Sequence, residues 1–515
     1  MPLACPREFL HDAGVLRRRK LLGVLGGAGL ATVLGALGGA RKARAAPYGA
    51  LVADPDGVLD LPPGFHYRVL ERWKDAMDDG HVVPNLPDGM ACFPGQDGTV
   101  VLMRNHELLV GDGPYEPGQA PPEVYDPMTM GCVTRVVLDA ETFERRSSNL
   151  VLCGTVKNCA GGPSPWGWLS CEETTTAGHG YVFACDPTTS VVEPPLKIAA
   201  YGRCKHEAAC VDPASNTAYL TEDQHDSALY RFVPDDPAAP FVGRLQALCV
   251  VGHPMFAMSN LAQGDTLSIT WVDLEDTDPV GDTLRAEAQE KGAAIFDRGE
   301  GIAFADGEVY VIATSGGPIG RGQIFRLVDR PAGPTIEALV VVTDPEVADQ
   351  PDNICVAPWG ELFFGEDGGG GNFIRGVTRT GEVFTFAHNA LTAGEIAGVC
   401  FSPDGRALFA NYWGSGITLV ITGPFPSAAD ADTSSSSSDG DAEPSSDASS
   451  SGAPADPEPA PTGSEAGELG STDPPEAAGA FEELTCECRS ADGSPGALAV
   501  AALAAAVVAS APRER

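Results

Sequence analysis

Four short segments of this 515-residue chain concentrate residues able to bind cations. The first runs Asn158-Cys159-Ala160-Gly161-Gly162 and continues through Trp166 and Trp168 to Ser170-Cys171-Glu172-Glu173. The second is Gly202-Arg203-Cys204-Lys205-His206-Glu207, followed by Thr221-Glu222-Asp223. The third is Asp297-Arg298-Gly299-Glu300-Gly301. The fourth combines Asp352-Asn353, Trp359-Gly360 and Glu366-Asp367, with Gly394-Glu395-Ile396-Ala397-Gly398 behind it. Carboxylates with Asn carbonyls form the hard-oxygen set that suits calcium. A cysteine thiolate among them fits a softer ion beside it.

Those segments need strands to hold them. The stretch 47–423 shows no sustained helical periodicity, and 282–292 is its best helical segment. Short runs of Val, Ile, Leu, Phe and Tyr alternate instead with Gly, Pro, Asp and Asn, which is strand and turn chemistry. One unit recurs: a turn, a strand and a polar exit, at 95–107, 165–173, 212–223, 305–314, 358–367 and 403–411. Six copies predict an all-β chain, a six-bladed β-propeller with inserted loops and short helices, with a sandwich or two smaller β domains as the alternatives. Four exits carry acids: Glu107, Glu172-Glu173, Glu222-Asp223 and Glu366-Asp367. Equivalent strands of a propeller end on one face, so these acids would meet at one mouth of a central channel, where like charges are costly unless cations bridge them. For any single pair, a solvated loop remains the alternative.

These residues, in this order and over 88–411, resemble the PhoX-type alkaline phosphatase family. The resemblance implies a six-bladed propeller that hydrolyses phosphate monoesters with two Fe³⁺ and several Ca²⁺ ions, a metal-bridging oxygen being the nucleophile. It implies that Cys159 is an iron-ligating thiolate and that Glu207 and Glu300 are metal ligands. Arg298 stands where the family holds the substrate phosphate, with Asn158 as a further substrate contact. Glu172, Glu173, Asp352, Asn353, Glu366 and Asp367 lie in motifs that look like its calcium side. Cys159, Arg298 and Glu300 are then the catalytic set. A planar guanidinium can hold two phosphoryl oxygens bidentately. Two other readings stay open: Arg298 as an ion-pair partner of Glu300, and Cys159 as half of a disulfide. The eleven cysteines of 47–423 cannot all pair among themselves. His106 and His206 are expected to orient carboxylates.

Composition bounds the partners. A formal charge of −38 excludes a nucleic-acid binder. The segment 1–46 is basic: Arg17-Arg18-Arg19-Lys20 precedes an apolar run, and Ala43-Arg44-Ala45-Ala46 offers a cleavage site. It resembles a twin-arginine export signal. The stretch 424–485 is rich in acids, Ser and Pro and has no Lys or Arg, the composition of a disordered spacer. The tail 486–515, with Cys486 and Cys488, a short apolar run and terminal arginines, resembles a MYXO-CTERM sorting signal. The expectation is an exported monomer of the cell surface, outer envelope or medium that meets the export and C-terminal sorting machineries and acts on small phosphate esters. Two alternatives remain: a calcium propeller hydrolysing lactones or carboxylic esters, and a non-catalytic calcium-binding surface module.

Overall fold

The computed structural model describes residues 47–426. The expected signal, most of the spacer and the tail lie outside the described residues. Within them the chain is nearly all strand, with one α-helix, Leu284–Glu290, and three single 3-10 turns. Turn chemistry sets the hairpins. Asp97-Gly98 and Asp306-Gly307 each place two successive residues at positive φ (51° and 71°, 54° and 78°), the conformation of the tight turn whose twist matches antiparallel strands.

The arrangement is propeller-like. Antiparallel meanders start from the strands Pro87–Pro94, Asn158–Ser164, His206–Val211, Gly299–Ala305, Pro351–Val356 and Ile396–Phe401. These inner strands pack side by side in chain order, and the last returns to the first. Apolar clusters fill the spaces between sheets, one of them around Phe363, Phe386, Phe401 and Trp359. Ring closure comes from the ends of the described body, because His66–Arg72 pairs with Ile417–Thr422.

The expectation of six separate blades is corrected. Hydrogen bonding defines five sheets: four blades of four or five strands, and one sheet of nine. The nine-stranded sheet arises because Thr266–Asp273 runs on to pair with Thr335–Val341, through Thr266 with Glu337 and Ser268 with Thr335. Two edges that would each end a blade satisfy one another's backbone groups instead.

Candidate metal and substrate site

Each inner strand is interrupted by a β-bulge at the same rung. Pro87 pairs with His106, and the next pair is Met90 with Arg104. The same slip follows Asn158, His206, Gly299, Pro351 and Ala397. A bulge inserts an extra residue and re-aims its side chain. The residues inserted at this point are Asp88, Cys159, Glu207, Glu300 and Asp352, with Gly398 in the sixth strand. Gly398 has φ 63°, and a Cβ there would collide with the Asp88 carbonyl, so that position accepts no acid. Glu395, just before the sixth strand, supplies one instead.

The neighbouring strands contribute a second ring. In five of the six meanders the residue directly after the second strand, Glu107, Glu173, Asp223, Thr314 or Asp367, lines the same cavity as the bulge residues, Glu395 and Arg298. That cavity measures about 160 Å³. Two groups of ligand atoms converge inside it: Asp88, Glu107 and Cys159, and Glu207, Glu300 and Asp352. The Cys159 thiol lies 3.4 Å from Asp88 Oδ2.

The electrostatics of this ring are adverse without cations. Burial, then the Asp352 charge, pushes the Asp88 carboxyl well above the carboxylate range. Burial raises Glu207 and Glu300 in the same way, helped by their acidic neighbours. Asp352 is pushed up to about 7 by burial and by Asp367. The Cys159 thiol is raised by burial and by Asp88. Asp88 Oδ1 and Glu207 Oε1 are buried with no hydrogen-bond partner. Orphaned acceptors of this kind need an explanation, and a bound cation provides one. The donors, one thiol among many carboxylates, fit a metal centre holding both a softer and a harder ion.

Two cations of the chain sit at the rim. Arg298 has φ 56°, a strained conformation held by its donation to Gln224 O and by Thr314 N donating to its carbonyl. Its Nε and Nη2 donate to Asp223 at 2.7 and 2.9 Å, and Nη2 also to Glu300 at 2.8 Å. The ion-pair alternative for Arg298 is therefore realised while its side chain stays partly open to the cavity. Lys157, also at positive φ, bridges Glu107 and Glu173 at 3.0 Å each.

Four of the sequence-predicted residues lie elsewhere. Glu172 accepts from the backbone N–H groups of Val156, Gly180 and Tyr181 and contacts His179 Nδ1 at 2.7 Å. Glu366 accepts from Asp349 N, Phe373 N and Arg375 Nε. Both are first members of acidic pairs, and strand alternation turns them away from the cavity. Asn158 is fully buried, accepts from Thr155 Oγ1 and donates to Ser170 Oγ, and it does not line the cavity. Asn353 donates to Asp352 Oδ1 at 2.9 Å and accepts from Gly398 N, so it steadies a ligand-bearing bulge. His106 meets Asn85 O and Thr134 Oγ1, and His206 meets Gly202 O. Neither orients a carboxylate. All eleven described cysteines are free thiols, so Cys159 is in no disulfide.

The remaining predicted residues, Cys159, Glu173, Glu207, Arg298, Glu300, Asp352 and Asp367, do come together. Sequence reading gave Asp88 no role in the site; it placed Glu395 in the fourth segment, Thr314 at the end of a repeat, and Glu107 and Asp223 at strand exits, without assigning any of them a ligand role. An acid or Cys followed by Gly or Ala at the start of an inner strand (Asp88-Gly89, Cys159-Ala160, Glu207-Ala208, Glu300-Gly301) was the available signal for Asp88.

The family described as alkaline phosphatase PhoX matches residues 46–416. Among solved structures, PhoX of Pseudomonas fluorescens in complex with vanadate, a transition state analogue, is similar at 20% identity and a TM-score of 0.56. The similarity covers 74% of this chain and 97% of that one. A gluconolactonase of Xanthomonas campestris is matched at 15% identity with a TM-score of 0.36, over 73% of this chain and 99% of that one. No curated protein matches the sequence.

Proposed function

Because this chain belongs to the alkaline phosphatase PhoX family and is a phosphatase by that membership, we propose that it hydrolyses small phosphate monoesters with metal ions held in the bulge-lined cavity. The observation that carries this reading is one guanidinium, Arg298, at the edge of a carboxylate ring whose Asp88 and Glu207 oxygens are orphaned. A monoester carries about two negative charges near neutral pH, and such a ring attracts it only once cations have inverted the local sign.

Cys159, Glu207 and Glu300 would hold iron, with Asp88 and Glu107 beside the thiol. Asp352, Asp367, Glu173, Asp223 and Glu395 would serve calcium. Such ions activate an oxygen nucleophile and neutralise charge on the attacking and leaving oxygens. Arg298 binds and orients: its planar fork, now engaged on Asp223, is the shape that holds two phosphoryl oxygens. Asp223 and Glu300 keep that fork extended towards the cavity in the absence of substrate. In the net reaction a new P–O bond forms from water, the ester P–O bond breaks, and the departing alcohol takes a proton. Export to the cell envelope or medium and a role in phosphate acquisition complete the proposal.

Turnover of p-nitrophenyl phosphate tests it. The metal-loaded chain should hydrolyse this ester and leave p-nitrophenyl acetate and simple lactones untouched. Arg298→Ala should lose about 10²-fold or more, as removal of a charge-stabilising donor typically does. A fully metallated chain inert towards phosphate esters would overturn the reading.

A further inference from the structure

Asn105 belongs to neither ring of the cavity, yet it is fully buried between two meanders. It lies in the strand Thr99–His106, one residue before His106. Its Nδ2 donates to the carbonyls of Cys159 and Ala160 at 3.2 and 2.7 Å. These are the two residues that the bulge of the neighbouring inner strand sets opposite the single residue Cys171. Its Oδ1 accepts from the indole N–H of Trp168 at 2.8 Å, which fixes which end of the amide faces the bulge. Trp168 is itself buried and comes from the strand that pairs with the Cys159 strand.

The same position recurs with the same task. Thr221, one residue before the Glu222-Asp223 exit, donates from Oγ1 to Glu300 O at 2.6 Å and accepts from Ala208 N at 3.0 Å. It therefore ties the bulge that carries Glu207 to the bulge that carries Glu300. Gly365, one residue before Glu366, packs against the Ile396 carbonyl so closely that a Cβ would collide with it. This rung of the second strand thus faces the next meander's inner strand near its bulge. In the Asn105 case it grips the bulge through two carbonyls.

We propose that Asn105 is a positioning residue for the Cys159 thiolate: it fixes the bulge peptides so that the sulfur points at the ion it shares with Asp88 and Glu107. The inference rests on the reading of the cavity as a metal centre with a thiolate ligand. A bulge has lost a ladder hydrogen bond and is locally free to pivot, and groups behind a ligand commonly tune metal affinity 10- to 100-fold. Asn105 replaces the lost restraint, and Trp168 keeps it aimed.

Cobalt(II) titration of the full chain, followed through the thiolate-to-cobalt charge-transfer band in the near ultraviolet, separates the possibilities. The unmodified chain should show the band, and Cys159→Ser should abolish it. Asn105→Leu should shift or weaken the band and reduce cobalt affinity about 10-fold. Trp168→Phe, which keeps the ring packing and removes the N–H donor, should move both in the same direction by less. Asn149→Leu removes a buried amide on the outer strand Arg145–Thr155, away from the cavity, and should lower stability without changing the band. If the unmodified chain shows no thiolate band, the metal–thiolate reading falls and this inference with it. If the band is present but unchanged in Asn105→Leu and Trp168→Phe, or changed equally in Asn149→Leu, the positioning role is refuted while the metal reading stands. Should Asn105→Leu not fold, Trp168→Phe decides alone.

Discussion

Glu172 and Glu173 are adjacent carboxylates with opposite environments. Glu172 turns inward and satisfies the backbone N–H groups of Val156, before its hairpin, and of Gly180 and Tyr181, after it, whereas Glu173 turns to the cavity. Glu366 and Asp367 repeat the division. Sequence reading treated each pair as a unit, because composition shows two acids and only strand phase shows which one faces the channel. The two members should therefore fail differently. Glu172→Gln weakens charge-assisted bonds in a buried loop and should destabilise the fold by roughly 1–3 kcal/mol, read as a lower midpoint of chemical denaturation, while the folded fraction keeps its metal content. Glu173→Gln should leave the denaturation midpoint of the metal-free chain nearly unchanged and lower calcium bound per chain.

The element that makes the site is the bulged inner strand. Periodicity and turn residues disclosed that strands exist and roughly where they end, because Asp-Gly turns and β-branched runs are local signals. The bulge depends on a mismatch between two strands, so no single strand declares it, and the acids it carries were seen only where a conspicuous motif framed them. Cys159, Glu207 and Glu300 were legible for that reason. Asp88 was not, since it sits in an ordinary Pro-Asp-Gly run, and Glu395, although part of the fourth segment, received no ligand role because it enters from a loop. The glycines beside Cys159 are part of the same device. A Cβ on Gly162 would collide with the Ala209 carbonyl of the next inner strand, so the two strands approach at backbone contact. Gly162→Ala should cost about 3 kcal/mol through overpacking, and circular dichroism melting should show it even in metal-free protein. A melt indistinguishable from that of the unmodified chain would mean that the close approach is not required.

At the scale of the whole molecule, the acidity read from composition has a definite address. Part of it is concentrated at one end of the channel, where burial and mutual repulsion raise the carboxyls of Asp88, Glu207, Glu300 and Asp352 above the usual carboxylate range. A carboxyl whose pKa is higher in the folded chain than in the unfolded one binds protons preferentially when folded, so its contribution favours the fold at low pH and disappears as pH rises. Metal-free protein should accordingly lose stability as pH rises from about 4 through the Asp352 value of about 7. Calcium and iron should flatten that slope, because cations hold the same groups ionised. Thermal melts across this pH range, with and without a chelator, check both halves; a metal-free melt that does not fall with pH would contradict the placement of these acids. The blade count was less legible than the acids, because the pairing that merges two meanders involves only a few residues of Thr266–Asp273 and Thr335–Val341. The most direct test of the account is elemental analysis of the purified chain beside its Cys159→Ser and Glu207→Gln variants. The account predicts iron near two per chain together with calcium, with iron lost from both variants in step with p-nitrophenyl phosphate turnover. Full turnover in a chain that holds no iron, or unchanged iron in both variants, would contradict it.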